Sequence, residues 1–362
     1  ITVYSMDGVA REDVIDAYVH DSQTFTRVTS TLSAIGSNIL EATGLKTQLS
    51  STSERIFEKL SIATPAVARF ATLAANATST PAIVSEFEKR VEAAFLRRES
   101  STIRDWINTA FPFSALFLRL GDDSMKQAMH RASQRLILLR REETDRRHLK
   151  HFYERDQQFK AFENLMTGDD SSWALHFLGA GGVGKTMLVR KITVDWAKKF
   201  DAVTARVDFD YLKAEYPTLD PGMLLWAFAQ ELRAYAGPDS IRLFNKAERK
   251  FEELRSQIQS EVRSGLRQRA TDYPDFAEAI SDYCDALKLI PKRVLLIVDT
   301  CEELAKIGMG LTPVQNIHET FRILRALHDG AQTLKDESAQ PTGGLASLRV
   351  IFSGRRPLAS SG

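Results

Sequence analysis

Up to about residue 170 the apolar positions recur at helical spacing. Beyond it, short β-rich runs alternate with helical ones. After Pro81, Val84, Phe87, Val91 and Phe95 fall on one face, and Met125, Met129, Ala132, Leu136 and Leu139 repeat at steps of four and three. Stripes of this kind face a core. Thr64-Pro65, Thr80-Pro81, Asp220-Pro221 and Thr312-Pro313 each read as a helix start. The side-chain oxygen caps an orphan backbone donor, and proline stands where its missing N–H costs nothing.

The second half predicts strands over 173–178, 203–209, 293–298 and 348–352, and helices over 221–235 and over 314–328, the latter ended by Gly330. Phe244, Ala247, Phe251, Leu254, Ile258 and Val262 mark a long amphipathic helix ahead of the third strand. It is expected to pack on its own domain. Within the third strand the run 294–298 is apolar throughout, as befits a strand buried on both faces of a parallel sheet. The pattern predicts an α/β fold, a parallel sheet flanked by helices, preceded by an all-α domain. The expected domains are 1–148 and 149–362.

Charge narrows the function. Lys+Arg is 48 against 47 Asp+Glu, so no whole-surface polybasic binder of nucleic acid is expected. The basic stretch 126–150 lacks the interleaved aromatics of a nucleic-acid footprint and reads as a solvated helix face. No apolar run nears the length of a membrane span, and no signal peptide opens the chain. Two cysteines exclude a disulfide scaffold and fit a cytoplasmic setting.

The chemistry concentrates in Gly179-Ala180-Gly181-Gly182-Val183-Gly184-Lys185-Thr186, a full match to G-x-x-x-x-G-K-[ST] between a strand and a helix. Glycines let successive backbone N–H groups turn inward on phosphate oxygens. Lys185 is expected on the β- and γ-phosphates of ATP, and Thr186 on Mg²⁺. The apolar strand at 294–298 ends in Asp299, the position from which a carboxylate holds Mg²⁺ at the C-terminal edge of a sheet. Glu302 and Glu303 follow, and either is a candidate to orient the attacking water. The choice between them stays open.

With these motifs the chain resembles the STAND class of signal-transduction P-loop ATPases, and most of all the bacterial ATP-binding members. The resemblance covers about 150–362. Gly179 to Thr186 matches that family's G-x-G-G-x-G-K-T, and Asp299-Thr300-Cys301-Glu302-Glu303 its acidic run. Phe152-Tyr153-Glu154-Arg155-Asp156-Gln157-Gln158-Phe159 resembles the segment against the adenine, with Arg155 kept and Glu154 in place of glycine. Val350-Ile351-Phe352-Ser353-Gly354-Arg355 resembles the sensor strand, which gives Arg355 the role of reading the γ-phosphate. The resemblance implies a slow ATPase that holds ATP or ADP and switches by homo-oligomerisation. It also implies an N-terminal effector or adaptor, a trigger taken up by C-terminal modules that 1–362 does not include, and service in antiphage defence.

Rival readings are weaker. A guanine reader needs N/T-K-x-D, and the nearest run is Asn245-Lys246-Ala247-Glu248, inside the amphipathic stripe. His148 and His151 are the only close histidine pair and have no cysteine beside them. A scaffold that holds nucleotide without turnover is the alternative from another class.

Overall fold

The computed structural model describes residues 80–117, 123–168, 172–212, 216–264, 269–301, 313–333 and 348–355. The chain divides into two compact units, 1–141 and 142–362.

In the first unit α1 (Thr80–Leu96), α2 (Ser100–Phe117) and α3 (Asp123–His148) are helical. Val84, Phe87, Val91 and Phe95 are all buried, and the Phe87 ring meets Trp106 of α2 edge-on at 6.5 Å. Along α3, Met125, Ala128, Ala132, Leu136 and Leu139 are buried. The unit boundary falls inside this helix, after Arg141.

The second unit is α/β. Its elements are α4 (Asp156–Thr167), β1 (Ala174–Leu178), α5 (Lys185–Lys191), β2 (Ala202–Asp208), α6 (Met223–Leu232), α7 (Pro238–Arg263), α8 (Pro274–Lys288), β3 (Arg293–Asp299), α9 (Pro313–Thr333) and β4 (Arg349–Gly354). The helical path of α5 runs on through a π turn, Ile192–Trp196, and a last turn, Ala197–Lys199. The four strands form one parallel sheet in the order β1-β4-β3-β2.

Strand alternation splits the core in two. Leu295, Ile297 and Ile351 pack on one face with Phe159 and Phe162 of α4 and Leu188, Val189 and Ile192 of the α5 run. Val294, Leu296, Val298, Val350 and Phe352 pack on the other with α6, α7, α8 and α9. Arg349 and Arg293, at the N-terminal ends of β4 and β3, reach across to α4. Arg349 Nε donates to Leu165 O at 2.9 Å, and Arg293 Nη1 to Met166 O at 3.1 Å. Both cap carbonyls that the last turn of α4 leaves open.

Phe244, Ala247, Phe251, Leu254 and Ile258 bury the long helix α7 within its own unit, in one core with Phe276, Ile280 and Tyr283 of α8. The run Asn245 to Glu248 serves this packing. Arg233 Nη2 donates to Asn245 Oδ1 and to Glu248 Oε2, each at 2.7 Å, and Lys246 pairs with Asp282 at 2.8 Å.

Several boundaries differ from the sequence reading by a few residues, and two of the differences are instructive. The helix expected from Pro221 starts at Met223, with Gly222 as N-cap. The Asp220 carboxylate goes instead to Arg255 of α7 at 3.1 Å, so an ion pair displaces the cap. Gly330 does not end α9, which runs to Thr333. A Cβ there would lie 2.9 Å from Cys284 Sγ, so this glycine lets α9 and α8 approach. Helices α4 and α8 were not predicted. Thr64-Pro65 and Thr312 lie outside the described residues.

Candidate functional site

The site lies where the strands end. The loop Gly179 to Gly184 joins β1 to α5, and Gly182 and Gly184 hold φ of 80° and 84°. That region favours glycine, because a Cβ would press on the chain. Gly184 is the N-cap of α5, and Lys185 and Thr186 open the helix. Lys185 folds back over the loop, its Nζ 2.8 Å from Gly179 O and 3.0 Å from Ala180 O. Its charge is thus held at the loop centre. Val183 and Thr186 are exposed.

Two arginines from distant segments rest on the loop. A Cβ on Gly181 would stand 3.1 Å from Arg355 Cζ, so that guanidinium lies against Gly181. A Cβ on Gly184 would stand 2.8 Å from Arg155 Nη2. Arg155 also donates to Val183 O. It is the N-cap of α4, and nearby Phe152 packs on Phe159, which stacks on Trp196 at 4.2 Å. Arg355 follows directly on β4, so the end of that strand fixes where it emerges. A Cβ at 181 or 184 would press on one of these guanidinium groups and make it shift.

The acidic part of the site comes from the neighbouring strands. Asp299 ends β3, is 2% exposed, and accepts from Thr300 N through Oδ1 at 3.0 Å. Thr300 takes φ of 57°, a left-handed residue that turns the chain away from the strand. Asp208 ends β2 in register with Asp299. Its Oδ1 accepts from Asp210 N at 3.1 Å. Ser353 of β4 stands opposite Phe177 of β1 and is fully buried. Its Oγ has no hydrogen-bond partner among the described residues.

The structure therefore brings Gly179, Gly181, Gly182, Val183, Gly184, Lys185 and Thr186 together with Arg155 and Arg355 on one loop. Asp299 sits on a strand one removed from β1, with β4 between them. Glu302 and Glu303 lie outside the described residues. Cys301 is buried, its Sγ 3.4 Å from Val298 O. Asp208 and Ser353 were not singled out from the sequence. The signal for both was strand register, which exists only once the pairings are known.

Among the described residues no three His, Cys, Asp or Glu side chains converge as a ready-made metal cage. The donors at this corner are hard oxygens, the Thr186 hydroxyl and the Asp299 carboxylate, with the unpartnered Ser353 hydroxyl in the row beside Asp299. This set fits Mg²⁺, which takes one or two protein oxygens and fills its octahedron with water and substrate phosphates.

No family model, curated protein or solved structure matches the chain. Among the described residues no helix is long and apolar enough to cross a membrane.

Proposed function

We propose that the chain binds ATP on the loop 179–186 and serves as the nucleotide switch of a STAND-class signalling protein with slow hydrolysis. The observation that carries this reading is the convergence of three cations on one glycine loop. Lys185 is folded into its carbonyls, and Arg155 and Arg355 lie against Gly184 and Gly181. Such a cluster, beside backbone N–H groups with glycine curvature, suits a polyphosphate.

Lys185 supplies the point charge for the β- and γ-phosphates, and its bonds to loop carbonyls are what phosphate oxygens replace. Thr186 and Asp299 hold Mg²⁺, which when bound neutralises charge building on the transferred phosphoryl group. Arg355 contacts the γ-phosphate, and Arg155 fixes the loop beside the base. Glu302 or Glu303 orients water. In the intact protein the two nucleotide states differ in their preference for a homo-oligomer. That difference in affinity limits how far ATP shifts the equilibrium. A trigger bound elsewhere and a role in defence belong to the same reading.

The test is calorimetric titration with ATP and ADP. Lys185→Ala should abolish measurable ATP binding with the fold intact by circular dichroism. Arg355→Ala should weaken ATP about tenfold or more and ADP less, since ADP lacks the group contacted. Wild-type affinity in Lys185→Ala would remove the phosphate-loop reading. Equal losses for both nucleotides would reduce Arg355 to a general phosphate contact.

A further inference from the structure

Ser353 has a buried hydroxyl that packing does not explain. The residue is fully buried on the interior strand β4, and its Oγ finds no hydrogen-bond partner among the described residues. A hydroxyl in that state costs stability, and proteins seldom keep one without a use. Alanine would fill the place at lower cost.

Its position says what the hydroxyl faces. Side chains two apart on a strand share a face. Ile351 packs with Leu188 and Val189 of α5, so Ser353 points to the α5 side of the sheet. The Val298–Phe352 pair is the last in the β3–β4 register, and one step on puts Asp299 beside Ser353. Leu295 and Ile297 also pack on the α5 side, so Asp299 shares that face. Two residues after Ser353, Arg355 rests against Gly181. The hydroxyl thus lies in the row of Asp299, on the side of the helix that begins with Lys185 and Thr186.

We propose that Ser353 is a positioning residue for Mg²⁺, its hydroxyl hydrogen-bonding a metal-bound water on the Asp299 side of the site. The proposal rests on the reading of 179–186 as a Mg²⁺-ATP loop. A hydroxyl both donates and accepts, so it can hold such a water in either orientation. Outer partners of this kind orient the groups that touch a metal, and their loss weakens metal affinity. Mg²⁺ keeps several waters, so the demand for such partners is built into its chemistry.

The experiment uses Ser353→Ala and Ser353→Thr in the full chain. Thermal unfolding is measured without ligand, and ATP binding is measured in EDTA and across a Mg²⁺ titration. Ser353→Ala should melt no lower than wild type, because it deletes an unpartnered polar group. It should bind ATP as wild type does in EDTA, yet need about tenfold more Mg²⁺ for half-maximal tightening. Ser353→Thr, which keeps the hydroxyl, should restore the Mg²⁺ dependence. A structural serine would behave in the opposite way, with a lower melting temperature and an unchanged Mg²⁺ requirement, and that result overturns the proposal. ATP binding by Lys185→Ala at wild-type strength removes the phosphate-loop reading itself, and the proposal falls with it. Loss in Lys185→Ala with a wild-type Mg²⁺ curve in Ser353→Ala refutes the serine alone.

Discussion

Single residues here act through space more than through conformational freedom. Gly222 has φ of −73°, which any residue adopts. Its requirement is steric, since an added Cβ would sit 2.5 Å from Phe251 Cβ. That atom is fixed to the α7 backbone and cannot swing aside. Gly222→Ala should therefore destabilise the fold by about 1–3 kcal/mol in denaturant titration. Phe251→Ala should not relieve it, because alanine keeps the offending carbon. His176 acts through charge. Burial lowers its pKa below the usual value, and its buried Nε2 has no hydrogen-bond partner among the described residues. The unfolded chain takes up the proton near pH 6.5 while the folded chain does not. The stability this neutral histidine contributes is present above pH 6.5 and is lost as pH falls through the folded pKa. His176→Phe should flatten that loss in Tm against pH. Glu248 and Glu319, whose pKa values burial raises, run in the opposite sense. They remain in both proteins, so the difference between the two curves isolates His176.

At the scale of elements, the end of α3 is tied to the outer part of the α5 run. Asp145 is 3% exposed and pairs with Arg190 of α5 and Arg206 of β2, each at 3.1 Å. Glu142 meets Lys198 at 2.6 Å, and Arg146 meets Asp195 of the π turn at 3.3 Å. Asp145→Ala removes the buried carboxylate that two arginines share. Breaking a buried pair costs about 3–5 kcal/mol, but Arg190 keeps 25% of its side chain exposed, so about 2–3 kcal/mol is expected by denaturant titration. A double-mutant cycle with Arg206→Ala should show coupling well above that of a surface pair. The basic stretch 126–150 was legible as a helix from its composition. Its single buried acid was not, because a partner 61 residues away in β2 decides Asp145's burial. Gly330 misled for the same reason. In sequence a glycine after a periodic run signals a helix end, and here Cys284 of a neighbouring helix explains it.

At the scale of the molecule, the sequence reading places the domain boundary at 148, in the charged stretch before Phe152, whereas the compact units divide after Arg141. The difference is testable by truncation. A fragment of residues 142–362 keeps Glu142, Asp145 and Arg146 with their partners, and one of residues 149–362 loses them. The shorter fragment should melt roughly 6–12 °C lower, taking a loss of about 3 kcal/mol at about 2–4 °C for each. Equal melting temperatures would mean that the α3 end adds nothing to the second unit.

The sequence by itself determined the class of fold, because apolar periodicity follows from helix and strand geometry and needs no partner. It also located the glycine loop with Lys185 and Thr186, whose eight-residue motif is local in sequence, and the apolar strand ending in Asp299. Only the tertiary structure decided the order β1-β4-β3-β2. That order puts β4 between the loop strand and the Asp299 strand. Ser353 thereby enters the row of Asp299, and Arg355 comes to Gly181. Arg155 reaches Gly184 through the seating of α4 against the sheet, which Arg349 and Arg293 help to fix from its far end. Strand order depends on pairings between residues 54 to 176 positions apart, and a one-dimensional pattern carries no record of which strands become neighbours.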